Sequence, residues 1–201
     1  MQLFLIRHGE TVWNMEKRCQ GHTDVPLNGK GLAQAEKLGR FIKDIQFDAI
    51  YASDLERAAQ TAEKIAQYHE LNVQTLPALR ERNYGEWEGL TLEQINRRYS
   101  DQRQVRREGG RYGIEKYADL QKRVYNGLTE LTKKHLGQNI VAVSHGGSIN
   151  AFLHRITDGE LGTGVTVIEN TSVTNIVFEK NTGWNGAFGR SESVNLVDHY
   201  A

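Results

Sequence analysis

Two short stretches carry residue types suited to chemistry on a phosphoryl group. In Leu3-Phe4-Leu5-Ile6-Arg7-His8-Gly9-Glu10-Thr11 an apolar run ends in an arginine, a histidine and a glycine. Ile140-Val141-Ala142-Val143-Ser144-His145-Gly146-Gly147 ends in a similar way, in a histidine and two glycines. Arginine offers a planar fork of donors to phosphate oxygens. Glycines at a helix start let backbone N–H groups come close to an anion at the positive end of the helix dipole. A histidine among cations is favoured in its neutral form, because nearby positive charge lowers its pKa. A neutral imidazole with a free lone pair can attack phosphorus and become a phosphohistidine. The alternative, two core histidines capping strands, does not explain Arg7 and Gly9 beside one and two glycines beside the other. A zinc site built on His8 and His145 lacks a short-spaced ligand pair, so no metal is expected.

Elements must bring these residues together. Residues 3–6 and 140–144 are unbroken apolar runs that suit strands buried on both faces, and 47–52 is a third. A helix is expected over 31–44 from Leu32, Ala35, Leu38, Phe41, Ile42 and Ile45. Another is expected from Ser53-Asp54-Leu55-Glu56, read as a capping box, to about Tyr68. A short strand near 73–76 stops at Pro77. Thr91-Leu92-Glu93-Gln94 caps a helix to about Tyr99, and a long helix runs from Tyr117 to about His135. A further helix starts directly after Gly146-Gly147. Residues 7–31 and 77–90 read as loops, and 100–114 show no clear period. The tail offers strands at 173–179 and 184–189, with Asn181-Thr182-Gly183 as a hairpin turn. Alternating strands and helices argue for a parallel sheet covered on both faces. Ligands of such sheets bind beyond the carboxyl ends of the strands, where Arg7, His8, His145 and the helix carrying Arg57 would meet. Arg57 lies off the apolar stripe of its helix, so its own pattern reads as a solvated arginine.

The chain of 201 residues can bury a full core, and its 25 basic and 25 acidic residues balance. That balance gives no global pull towards nucleic acid or an acidic membrane surface. The single cysteine, Cys19, fits a reducing compartment. Four apolar residues before Arg7 are too few for a signal peptide, and no run approaches a membrane span. The expectation is a soluble cytoplasmic protein. With no exposed apolar stripe in the pattern, the oligomeric state is left open.

The motifs resemble the histidine phosphatase superfamily, which includes cofactor-dependent phosphoglycerate mutases and many phosphatases. Arg7-His8-Gly9-Glu10-Thr11 with Asn14 resembles its Arg-His-Gly signature. Similar segments follow in order: Asp24-Val25-Pro26-Leu27 with Gly31 and Gln34-Ala35, Ser53 with Arg57-Ala58 and Thr61, Leu79-Arg80-Glu81 with Trp87-Glu88-Gly89, Ser144-His145-Gly146-Gly147, and Asn170-Thr171-Ser172. The resemblance implies an α/β fold, a three-layer α/β/α sandwich with a mostly parallel sheet and an antiparallel edge. It implies one domain over 1–201 with a lid-like insertion at about 82–116. His8 would be the nucleophile, with Arg7, Arg57 and His145 on the phosphoryl oxygens and Glu81 as the proton donor. Asn14 and the backbone at Gln20 and Gly21, with Gly146 at the helix start, would hold the substrate. Fixed cations would stand in for a metal, and no cofactor is implied.

The segment after Glu81 bears on whether the phosphoryl group passes to water or to another hydroxyl. Mutases of this family carry a long insertion there that closes the site. Here Glu81-Arg82-Asn83-Tyr84-Gly85-Glu86-Trp87-Glu88-Gly89 resembles the phosphatase branch, and a short, open lid would admit water. The expected activity is a metal-independent phosphomonoester hydrolase acting on a small phosphorylated substrate. The alternatives are a phosphoglycerate mutase and a non-catalytic module that binds phospho-ligands. Arg97, Arg98, Arg103, Arg106, Arg107 and Arg111 form a basic cluster, either a rim that steers anions or a solvated polar face. The Gly113-Ile114-Glu115 run departs from the family's Gly-Glu-Ser, which puts a substrate-contact role for Glu115 in doubt.

Overall fold

A computed structural model describes residues 1–178 and 190–196. Its centre is a sheet of six strands: β1 (Gln2–Arg7), β2 (Ala49–Ala52), β3 (Val73–Thr75), β4 (Asn139–Ser144), β5 (Val173–Val177) and β6 (Arg190–Leu196). They lie in the order β3-β2-β4-β1-β5-β6. The first four are mutually parallel, β5 runs antiparallel to β1, and β6 pairs antiparallel to β5. The apolar runs read from the sequence are therefore the central strands. The proposed turn at 181–183 and strand at 184–189 lie outside the described residues. The outer partner of β5 is instead residues 190–196.

Alternation along the buried strands sends side chains to two separate cores. Leu3, Leu5, Tyr51, Ile140 and Ala142 pack with Leu120, Val124 and Leu128 of α6 (Tyr117–Lys134) and with Ile149, Phe152 and Leu153 of α7 (Gly146–Ile156). Phe4, Ile6, Ile50, Val141 and Val143 pack on the other side with Leu38 of α2 (Gly29–Phe41) and with Ala58, Ala62 and Ile65 of α3 (Glu56–Ala66). The result is the expected three-layer α/β/α sandwich. Among the described residues, no helix is long and apolar enough to cross a membrane.

The structure departs from the sequence expectations mostly at helix ends. The loop expected at 7–31 contains a short helix, α1 (Val12–Met15), closed by a Thr11–Asn14 capping box. Helix α2 starts at Gly29, two residues early, because the Asn28 side chain accepts from the Gly31 N–H. The capping box expected at Ser53–Glu56 does not form. Ser53 Oγ accepts from Leu55 N–H at 3.3 Å, and the Glu56 N–H goes to Asp24 Oδ1 at 2.7 Å. The box at Thr91–Gln94 does form and opens α4 (Leu92–Arg98). Residues 100–114 hold another helix, α5 (Gln102–Glu108), which buries only Val105 and so leaves no periodic signal.

The loop after β1 is seated on α2 through two glycines in contact. A Cβ on Gly31 would lie 2.0 Å from the Glu10 carbonyl oxygen, and one on Gly9 would lie 2.6 Å from the Gly31 carbonyl oxygen. Neither neighbour is a movable side-chain end. Gly31→Ala should cost about 2 kcal/mol or more, lowering Tm by roughly 4–8 °C. Gly29→Ala, with nothing within 4 Å of the new methyl, should leave Tm level or slightly raised. Thermal melts of the two variants separate contact from helix propensity, and equal melting temperatures would contradict this account.

Candidate active site

Parallel pairing of β1 with β4 sets Arg7 opposite Ser144, so the next residue on each strand, His8 and His145, stand side by side. Their ring centroids are 5.1 Å apart, and both side chains are buried. His8 Nδ1 lies 2.7 Å from the Gly9 carbonyl oxygen. A carbonyl only accepts, so Nδ1 carries the proton and Nε2 keeps its lone pair when the ring is neutral. Burial, then the charges of Arg57 and Arg7, hold the His8 pKa well below the usual histidine range, against a smaller opposing effect of the Gly9 carbonyl. His145 is held low in the same sense by burial, Arg57, His8 and Arg7. Its two ring nitrogens are buried with no protein hydrogen-bond partner.

Each cation is aimed by backbone carbonyls. Arg7 Nη1 donates to the Ile168 carbonyl at 2.5 Å. The following loop clamps the strand end, with Asn170 Nδ2 donating to the His8 carbonyl and Thr171 N–H to that of Arg7. Arg57 is fully buried, contrary to the solvated arginine its helix pattern suggests. Thr61, one turn along α3, lies on the same face. Its Oγ1 donates to the Arg57 carbonyl and accepts from the Gly9 N–H at 3.0 Å. The Arg57 guanidinium donates to the carbonyls of Gly21 at 2.7 Å and Thr23 at 3.0 Å. Burial lowers its pKa to about 10, which still leaves it charged at neutral pH.

The loop that receives Arg57 is itself held by Glu88. The Glu88 carboxylate accepts from the N–H groups of His22 (2.9 Å), Thr23 (2.9 Å) and Tyr84 (3.1 Å), and from the Thr23 hydroxyl (2.5 Å). Glu88 stands in the Trp87-Glu88-Gly89 segment, and its support of this loop comes from partners distant in sequence. His22 lies in the same loop. Its Nε2 donates to the Glu81 carbonyl at 2.8 Å, so it belongs to the frame of the site.

Glu81 faces α7. Its carboxylate accepts from the Arg82 N–H at 2.8 Å and the Gly147 N–H at 2.9 Å. A Cβ on Gly147 would lie 2.4 Å from Glu81 Oε1. The sequence reading assigned the N-terminal amides of this helix to a phosphoryl group. Gly147 serves the carboxylate instead, while Gly146 lies against Arg7, whose Nε would be 3.5 Å from an added Cβ.

Arg7, His8, Arg57, Glu81, Asn14, Gln20 and Gly21 all line one pocket of about 270 Å³. Asn14 Oδ1 accepts from the Thr11 N–H at 3.1 Å, which leaves its amide NH2 as the free end. Gln20 Oε1 accepts from the Thr11 hydroxyl at 3.0 Å. Lys17 and Arg18 line it from the first loop, and Tyr84, Trp87, Leu90, Leu92, Ile95 and Arg106 from the segment after Glu81. That segment is not bare: Trp87, Ile95, Val105 and Ile114 form a third core of their own. Of the basic cluster, Arg106 lines the pocket, and it lies over the Trp87 ring. Arg97, Arg107 and Arg111 are paired with Glu93, Glu108 and Asp101 at the surface. Glu115 is structural, held by the Arg123 guanidinium through both oxygens. Cys19 also lines the pocket, its thiol pushed up to about 12 by burial.

A pocket with a neutral, tautomer-fixed imidazole, one buried and one half-buried guanidinium group and a nearby carboxylate can accept a phosphoryl dianion and move protons beside it. Comparison with known proteins agrees. The sequence matches the histidine phosphatase superfamily (branch 1) over residues 3–187. An uncharacterized phosphatase of Bacillus subtilis, PhoE, is 36% identical over 174 residues, covering 87% of this chain and 86% of that protein. A metal-independent phosphoserine phosphatase of Arabidopsis thaliana is 34% identical over 196 residues, covering 91% and 78%. Proteins named phosphoglycerate mutase stand among the relatives as well. The solved phosphoserine phosphatase of Entamoeba histolytica, in complex with 3-phosphoglyceric acid, superposes with a TM-score of 0.84 at 30% identity, covering 100% of this chain and 99% of that one. The chain belongs to the histidine phosphatase superfamily.

Proposed function

We propose that the protein is a phosphatase that hydrolyses small phosphomonoesters through a phosphohistidine on His8, without a metal. The observation that carries this reading is the 2.7 Å hydrogen bond from His8 Nδ1 to the Gly9 carbonyl. It leaves Nε2 as the nucleophilic atom of a buried, neutral ring flanked by Arg7 and Arg57. Nε2 attacks phosphorus, the P–O ester bond breaks, and Glu81 gives its proton to the departing alkoxide. Glu81 then takes a proton from water, the hydroxide attacks phosphorus, and the P–N bond breaks. Inorganic phosphate leaves with His8 neutral again. Arg7, Arg57 and His145 surround the equatorial oxygens and supply the charge stabilisation that a metal gives elsewhere. Asn14, Gln20, Gly21 and Gly146 hold the substrate, and residues 82–116 act as a lid on one domain. The lone cysteine supports a cytoplasmic location.

Water as the acceptor follows from the short lid segment, and the phosphatase relatives favour it. The mutase reading has relatives in its support. It requires isomerisation dependent on a bisphosphorylated primer, with little free phosphate released. The deciding experiment mixes the protein with a labelled phosphomonoester in EDTA and quenches with base. An acid-labile, base-stable phosphoprotein that His8→Ala abolishes is expected, together with release of phosphate. Absence of both label and phosphate leaves only a binding module.

Activity requires neutral His8 and, in the first step, protonated Glu81, which gives a bell-shaped pH profile. Because burial and the two arginines depress the His8 pKa, the acid limb of kcat/KM should lie well below pH 6.5. Arg57→Met removes one of those charges, raises the His8 pKa and should move the acid limb to higher pH. A limb that stays in place would show that Arg57 does not act on His8.

Glu88→Gln puts an amide NH2 against N–H donors and loosens the loop that holds Arg57. Misplacement on the ångström scale costs on the order of 100-fold. The expected loss is about 10- to 100-fold in kcat, with the protein still folded by circular dichroism. Unchanged kcat would remove Glu88 from the chain of support.

A further inference from the structure

A second cavity, of about 390 Å³, shares Tyr84 and Arg106 with the active-site pocket and otherwise has its own walls. Arg82, Arg106, Arg107 and His154 line it, with no carboxylate among the lining residues. Arg82 is buried. Its Nε donates to the Glu115 carbonyl at 2.9 Å and its Nη1 to the Arg106 carbonyl at 2.6 Å, while Nη2 is buried with no hydrogen-bond partner. Its charge is thus met by two carbonyl dipoles and the Tyr84 ring, over which it lies at 5.8 Å. His154 Nδ1 is likewise buried without a partner. Arg107 pairs with Glu108 at the surface, and such exposed pairs contribute little and exchange readily. The three guanidinium groups around this cavity, one buried and two exposed, repel one another, and an anion entering it relieves that repulsion. Leu120 and the Tyr117 ring supply an apolar side, with the Tyr117 hydroxyl donating to Thr163 Oγ1 at 2.9 Å.

Two residues in this wall also fix the candidate proton donor. Arg82 donates its backbone N–H to Glu81 Oε1, and Gly147 donates its own to Oε2. We infer that the cavity is an effector site for a small molecule with a phosphate, sulfonate or carboxylate head and a flat apolar body. Occupancy reaches Glu81 through the amides of Arg82 and Gly147 and changes the rate of proton transfer. The binding stands on the cavity itself, and the effect on rate rests on the proposed role of Glu81.

The probe is 1-naphthalenesulfonate, whose head cannot be hydrolysed as a phosphomonoester. Calorimetry should give equal Kd for the wild type and His8→Ala and about a tenfold weaker Kd for Arg107→Gln. At saturating probe, kcat for a small phosphomonoester should change while KM stays level, and in Arg107→Gln that change should need about tenfold more probe. No binding to the wild type, or equal affinity in Arg107→Gln, overturns the site. Loss of binding in His8→Ala, or a rise in KM at fixed kcat, puts the probe in the catalytic pocket and overturns it too. Binding with kcat unchanged overturns the link to Glu81. If the wild type hydrolyses no phosphomonoester and the calorimetric pattern holds, the catalytic reading fails and the site stands.

Discussion

The site rests on burying like-charged groups together. His8 and His145 lie ring to ring near Arg57, which is fully buried, and Arg7, which is half-buried, and two guanidinium groups cannot shed their charge at neutral pH. The histidines give way instead and stay neutral. The arginines are held by neutral carbonyls at Ile168, Gly21 and Thr23. Glu88 is set one step out from Arg57, where it grips the loop that grips that arginine. The positive field is therefore built into the fold and needs no rearrangement when charge develops on a substrate.

The central strands and the two histidines were legible because apolar runs and strand-end chemistry are local signals. The pairing of β1 with β4 turned a similarity between two stretches of sequence into a contact between two histidine rings. Arg57 was not legible from its helix. Apolar periodicity reports burial against a core, whereas Arg57 is buried against a loop more than thirty residues away in sequence. Helix α5 escaped for a related reason, since a helix that buries one residue has no period to read. The capping box at Thr91 formed and the one at Ser53 did not, although both have the right spacing. Asp24 reaches the Glu56 amide from elsewhere in the chain, and a tertiary partner overrides a local motif. Glu88 and Gly147 show the same limit, because their partners are known only once the loops are folded.

The three cores divide the labour of the molecule. Two flank the sheet and fix the strand pair that carries the histidines. The third, around Trp87, Ile95, Val105 and Ile114, lies wholly in the segment after Glu81 and has no residue in common with the others. Substitutions in that third core can reshape the pocket wall while leaving the strand of His8, its tautomer and its arginines untouched. On the proposed function, chemistry and choice of substrate rest on different parts of the chain, so that a change in one need not disturb the other.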